Sequence, residues 1–185
     1  MAKNLTPKQY YCNSAVPATV AWGKLYQKQL FENVRFPVGR YHEDEFTTYK
    51  LLFKCKKLTM VSQPLYAYYQ NPDGITHSVS WSKLSIDKID ALAEQIEYFR
   101  ANHFIIAEMQ RLMICMDKFR QLEKYSGQFQ KEKQLHVQEI KEKIIKLYPS
   151  IIIISDYLRK RNFNKSFLHI VYLLYNLYVQ LYFFI

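Results

Sequence analysis

The chain is poor in the residues that make tight turns. Its 185 residues include four glycines and six prolines, so long helices fit it better than many short strands. Its three cysteines, Cys12, Cys55 and Cys115, are odd in number and widely spaced. No CxxC or Cys/His ligand spacing occurs, so neither a disulfide framework nor a zinc site is supported, and reduced thiols packed as small hydrophobes are expected. Met1-Ala2-Lys3-Asn4 has no apolar run behind its lysine, so no secretory signal is expected. No internal repeat or low-complexity tract is present.

What is abundant is apolar surface and positive charge. Apolar residues make up 49% of the chain, enough to close a hydrophobic core at this length. The formal charge is +10, from 26 Lys and Arg against 16 Asp and Glu. That excess attracts phosphate-bearing ligands, anionic lipid heads and nucleic acid, and says nothing about fold. Nucleic acid is not expected as a partner, because no groove-binding or aromatic-platform motif accompanies the cations.

Local patterns set out the elements. Thr6-Pro7 reads as a cap and first-turn proline opening a short helix through Tyr11. Lys24 to Phe31 has roughly helical spacing, and Pro37 and Gly39 enforce a loop. A helix from Glu43 carries Phe46, Tyr49, Leu52 and Phe53 on one stripe and ends in Lys54, Lys56 and Lys57, which suit its negative end. Leu58 to Val61 and Leu65 to Tyr69 read as two strands broken by Pro64, and Asn71-Pro72-Asp73-Gly74 as a turn. Beyond Trp81, three stripes mark amphipathic helices: Ile86 to Phe99, Ile105 to Leu122, and Leu135 to Leu147. Core packing accounts for such stripes without a cofactor. The tail differs again: Arg159, Lys160, Arg161 and Lys165 precede an uncharged run from Phe167 to Ile185. That run approaches the roughly 20 residues of a membrane span. His169, Asn176, Gln180 and the tyrosines favour an interfacial helix, and a buried terminal helix fits equally.

The chemistry-bearing cluster is Tyr41-His42-Glu43-Asp44-Glu45-Phe46-Thr47, three carboxylates in a row at the start of a helix. Two accounts fit them. Asp44 caps the helix and its neighbours favour the positive end of the dipole, or one carboxylate at the loop edge takes a proton from a hydroxyl.

Around this cluster runs an ordered series: Ala21-Trp22-Gly23-Lys24-Leu25-Tyr26, Leu30-Phe31-Glu32, Arg35-Phe36-Pro37-Val38-Gly39 and His42 to Lys50. It continues through Pro64-Leu65-Tyr66-Ala67-Tyr68-Tyr69-Gln70 to Gly74-Ile75-Thr76-His77-Ser78. The series resembles the second half of bacterial family 2 glycosyltransferases of the GT-A fold, which build capsular and cell-wall polysaccharides. It covers about a third of the chain. The resemblance implies inverting transfer of a sugar from a nucleotide-sugar donor to a hydroxyl of a glycan or lipid-linked acceptor. It makes Asp44 the general base, with Glu43 positioning acceptor or base. Trp22, Lys24 and His42 would bind substrate, Lys24 offsetting diphosphate charge. His77 would lie in the loop that closes over the diphosphate, as a substrate contact and a candidate metal contact. A divalent Mg or Mn is implied for the full-length enzyme and none for this chain alone.

Two features depart from the family pattern. The loop reads Asp73-Gly74-Ile75 where the family has Gly-Ser-Ile, placing an acid beside the diphosphate. The nucleotide-binding half is missing, and no Asp-x-Asp occurs in the chain. The expected architecture is therefore α+β, predominantly α. A partial GT-A domain over 1–80, the acceptor-side half with a short β-hairpin, precedes a helical extension over 81–150. A basic, membrane-associated segment follows over 151–185. Lacking its sheet, the first part should expose apolar surface and oligomerise or be loosely ordered. A separate N-terminal half or a second copy is the implied protein partner. The location implied is cytoplasmic, at the inner face of the cell membrane. The rival reading is a non-catalytic basic helical module that binds anionic membrane or, as the weaker version, nucleic acid. As a truncated or split transferase, the chain alone is predicted to be inactive; measurable transfer or hydrolysis of labelled nucleotide-sugars by it would contradict this.

Overall fold

A computed structural model describes residues 2–13, 19–69, 71–74, 81–123 and 131–148. The chain forms two compact units, Met1–Gln130 and Lys131–Ile185. Within the first, strand β1 (Ala2–Leu5) leads into helix α1 (Pro7–Asn13), and helix α2 (Glu43–Lys54) leads into strand β2 (Leu58–Val61). Helices α3 (Trp81–Ala101) and α4 (Ile105–Glu123) complete that unit. The second contributes helix α5 (Lys131–Leu147), and the expected interfacial segment of the tail lies outside the described residues. No described helix is long and apolar enough to cross a membrane. The protein is mostly helical with one small sheet, in keeping with the α+β, mainly α expectation.

α1 opens as its sequence predicts. The Gln9 amide donates to the Thr6 hydroxyl at 3.2 Å, and the Thr6 amide donates to Gln9 Oε1 at 3.0 Å, a reciprocal box with Pro7 in the first turn. α3 and α4 form a helical pair joined by Asn102-His103-Phe104. His103 takes a left-handed φ of 56°, and the Phe104 amide reaches back to the Phe99 carbonyl at 2.8 Å. A left-handed residue with that six-residue bond is a Schellman ending, made here without glycine.

Two expectations fail, each for a physical reason. Only Lys28–Phe31 of the expected Lys24–Phe31 helix is helical, as one 3-10 turn. Leu25 is fully exposed, so that stretch has no packed face to offset the ordering of a helix. The expected hairpin of Leu58–Val61 with Leu65–Tyr69 does not form. β2 pairs antiparallel with β1 instead, Leu5 opposite Leu58 and Ala2 opposite Val61, with the Thr59 hydroxyl donating to Asn4 Oδ1 at 2.9 Å. Residues 64–69 carry no strand, Pro64 lacks an amide donor, and Leu65 and Tyr69 are exposed. The turn at Asn71–Gly74 is present: the Gly74 amide donates to the Asn71 carbonyl, and the Asp73 amide to Asn71 Oδ1.

The core joins the ends of the first unit. Tyr11, Tyr49, Leu52, Phe99 and Ala107 are buried together, with Tyr10, Phe53, Leu58, Tyr98 and Phe104 packed against them. The rings meet mainly edge-to-face: Tyr11 and Phe99 at 4.9 Å, Tyr49 and Tyr98 at 5.0 Å. Residues on both sides of position 80, the expected domain boundary, therefore share one core. The α3 and α4 stripes are buried at Ile89, Leu92, Ile96, Leu112, Met116 and Phe119, while Met113 faces outward. In α5, Ile144 is buried but Leu135 is exposed. Phe99→Ala should cost about 3–5 kcal/mol, because it removes the ring on which Tyr11, Tyr49 and Phe53 converge. Urea unfolding followed by circular dichroism measures this; an unchanged midpoint would contradict the packing.

Candidate functional site

The three carboxylates at the start of α2 project in different directions, because successive helical residues are turned by about 100°. Glu43 is exposed, Asp44 is half-buried and Glu45 is buried. Glu45 lies one turn before Tyr49 and two before Leu52, on the helix face that enters the core. There Gln95 Nε2 donates to its Oε2 at 2.9 Å and to its backbone carbonyl at 2.8 Å. The Thr19 hydroxyl donates to Oε1 at 3.0 Å, the Lys88 ammonium pairs with the same oxygen, and Arg111 Nη1 stands 3.9 Å from Oε2. Gln95 is fixed in turn by the Tyr11 hydroxyl, which donates to its Oε1 at 2.6 Å. The Arg111 guanidinium also lies over the Tyr11 ring at 4.7 Å. Burial alone would raise the Glu45 pKa; Lys88, Arg111 and Gln95 outweigh it and hold the carboxyl below its ordinary range.

The loop leading into α2 is tied to α3 independently. Arg40 Nε is 3.0 Å from Asp87 Oδ1, its Nη2 pairs with Asp90, and the Tyr41 amide donates to Asp87 Oδ2 at 2.8 Å. One turn further along, the Tyr49 hydroxyl donates to Glu94 at 2.8 Å and Lys50 pairs with the same carboxylate. The chain enters the helix through His42, whose φ of 56° is left-handed and whose side chain makes no capping bond. Such a conformation is unfavourable for a non-glycine residue, and here Arg40 and Tyr41 on one side and Glu45 on the other hold it.

Asp44 is thus not the cap but the second helical residue. Its Oδ1 accepts the Glu45 amide at 2.8 Å; among the described residues its Oδ2 accepts no hydrogen bond. Burial first, then the Glu45 charge, raises its pKa. Lys24 lies close enough to feel the Asp44 charge, yet burial outweighs that and brings its ammonium down to about 8, while it donates to the Val20 carbonyl. His42 is held below its ordinary value by burial and then by Lys88, which keeps it neutral near pH 7. Trp22, two residues before Lys24, stacks on Tyr66 and Tyr68 with ring centroids 5.4 and 4.8 Å apart. His77 lies outside the described residues.

The structure therefore sets Lys24 within electrostatic reach of Asp44, sets His42 within reach of Lys88, Glu45, Lys118 and Asp87, and leaves Glu43 at the surface. Sequence reasoning missed Glu45, Tyr66 and Tyr68. Glu45 carried a signal, its register with Tyr49 and Leu52, whereas nothing local marked the two tyrosines as partners of Trp22. Among the described residues no group of three His, Cys, Asp or Glu side chains is placed to hold a metal ion. These residues do not fit the divalent ion implied for the full-length enzyme.

Comparison with known proteins gives one functional lead. The chain is 34% identical over 76 residues to the glycosyltransferase GlyA of Streptococcus pneumoniae serotype 4 (strain ATCC BAA-334 / TIGR4). The match takes in 41% of this chain and 11% of that protein. Over that stretch the chain is related to a glycosyltransferase. No family model and no solved structure matches it.

Glu45→Gln should destabilise the protein by about 3 kcal/mol at pH 7, since it leaves Lys88 and Arg111 without their buried counter-charge. The sign with pH follows from the depressed carboxyl. Its contribution is complete above the ordinary value of 4.5 and is lost as pH falls through the lower folded value. Urea midpoints between pH 7 and pH 3 should fall for the native chain and fall less for the variant. Equal falls would contradict this assignment.

Proposed function

We propose that this chain carries the acceptor-side part of an inverting family 2 glycosyltransferase of the GT-A type, acting in polysaccharide synthesis. Asp44 is the general base. Its Oδ2 takes the proton of an acceptor hydroxyl as that oxygen attacks the anomeric carbon of a nucleotide-sugar, from the face opposite the leaving diphosphate. The observation that carries this reading is the state of Asp44: a half-buried carboxylate with one oxygen held by the next amide, the other unbonded among the described residues, and Lys24 within electrostatic reach. The similarity to a glycosyltransferase supplies the reaction class. A raised pKa makes the carboxylate a better proton acceptor near neutral pH.

The neighbours have supporting roles. Glu43, exposed at the first helical position, orients the acceptor. Lys24, charged below about pH 8, offsets the negative charge that develops on the leaving group. Because the described residues do not fit a metal, no step here passes through one. Nucleotide binding belongs to a further polypeptide segment, in the same chain or a separate one. The acceptor is a glycan or a lipid-linked glycan, at the cytoplasmic face of the membrane. The chain spans about a tenth of the length of the glycosyltransferase it matches, and these whole-enzyme properties extend from that part.

In a fusion that supplies a nucleotide-binding half, Asp44→Asn should lower transfer by about 10²–10⁴-fold while circular dichroism stays unchanged. A cationic binding module would be indifferent to it. The pH profile of the native fusion should have an acid limb above the ordinary aspartate value of 3.8, and an alkaline limb near the Lys24 value of about 8 that Lys24→Arg moves upward. Transfer that survives Asp44→Asn would refute the proposal.

A further inference from the structure

Three aromatic side chains near the proposed base have no structural task that accounts for them. Trp22, Tyr66 and Tyr68 come from two separate segments, the bends before Lys24 and the extended run after Pro64. Their rings are nearly parallel: Trp22 makes 17° with Tyr66 and 12° with Tyr68. None belongs to the buried core, where rings meet edge-to-face; the three are 43%, 53% and 52% exposed. Among the described residues the Trp22 indole N–H and both phenol hydroxyls make no hydrogen bond. Stacked rings left half in water present an outer ring face and ring edges to solvent, with hydrogen-bonding groups at the rim.

We propose that this stack is a carbohydrate subsite that seats a pyranose ring of the acceptor glycan, and it rests on the acceptor-side reading given above. A pyranose presents a face of C–H groups and a rim of hydroxyls, which is the complement of this surface. The C–H face packs on the ring faces, where aromatic quadrupoles are negative, and the sugar hydroxyls meet Tyr66, Tyr68 and the indole N–H. Position supports an acceptor unit rather than a donor unit. Trp22 is two residues, at most about 7 Å of backbone, from Lys24, whose ammonium lies within electrostatic reach of Asp44. A subsite there holds a sugar adjacent to the one whose hydroxyl Asp44 deprotonates. Neither tyrosine packs in the core, so changing them alters recognition without undoing the fold.

Saturation-transfer NMR on the full chain tests this with three probes: a β-linked glucose tetramer, an N-acetylglucosamine tetramer and uridine diphosphate. At least one tetramer should receive saturation from the protein's aromatic protons through its ring C–H groups. The doubly substituted Tyr66→Ala/Tyr68→Ala chain should bind it about tenfold or more weakly, and Trp22→Phe, which keeps a ring, should bind it better than Trp22→Ala. Saturation of uracil without either sugar would overturn the proposal by making the stack a nucleobase site. So would binding of neither tetramer, or sugar binding that ignores all three substitutions. In the fusion enzyme the tyrosine variants should raise the acceptor KM with kcat little changed. If Asp44→Asn abolishes turnover but the acceptor KM ignores the tyrosines, the subsite fails alone. If sugar binds the stack while Asp44→Asn changes nothing, the catalytic reading fails alone.

Discussion

Glu45 is a carboxylate with almost no contact with water, and such a group is retained in a fold only when charge and hydrogen bonds replace its hydration. Lys88 and Gln95 from α3, Arg111 from α4 and Thr19 from the preceding segment supply them. The apolar stripe of α2 is broad and permissive, and by itself tolerates a small rotation about the helix axis. The Glu45 cluster does not. A turn of one residue one way would set Phe46 against Lys88 and Arg111 and strand two cations, and the other way would put the shorter Asp44 in place of Glu45. The buried acid therefore fixes the rotation of α2, and that rotation decides which of three neighbouring carboxylates faces outward.

Residues adjacent in sequence thus have opposite tasks. Glu45 is held ionised by cations and is used up by them; Asp44 is only partly buried, and its pKa moves the other way. In the proposed reaction a single carboxylate could not be both anchor and base, since the bonds that anchor Glu45 are the ones a base must keep open. The second set of ties, from Arg40 and Tyr41 to Asp87 and Asp90, holds the loop end of the same helix. With both ends of the first turn fastened to α3, the helix pair after Trp81 is part of what positions Asp44 and not an appendage.

What could be read from the sequence follows the range of the interactions involved. The helices α2, α3 and α4 are written in spacings of three and four residues, and the Thr6-Pro7 opening of α1 in four consecutive positions. The β1–β2 pairing joins residues more than fifty positions apart, and Ala2-Lys3-Asn4-Leu5 has neither alternation nor β-branched residues to announce a strand. The same limit applies to the site. Glu43 and Asp44 were legible as carboxylates at a helix start, and Lys24 through a resemblance. The pairing of Glu45 with Lys88, Gln95 and Arg111 needs three elements brought together, and the stacking of Trp22 on Tyr66 and Tyr68 needs two segments more than forty residues apart.

The electrostatics of Asp44 and Lys24 have a further consequence. Burial drives the acid upward and the ammonium downward, each toward neutrality. Their mutual attraction opposes the shift on the lysine, which remains mostly charged at pH 7 with a pKa of about 8. A carboxylate beside a cation is ordinarily a weak base, because the cation stabilises its ionised form. At Asp44 desolvation and the neighbouring Glu45 charge outweigh the opposing effects of the Glu45 amide and Lys88, so the carboxylate retains basicity. Proton removal from a hydroxyl and neutralisation of a departing anion require opposite fields, and in the proposed reaction a half-buried acid and a half-buried lysine within its electrostatic reach would divide those two roles.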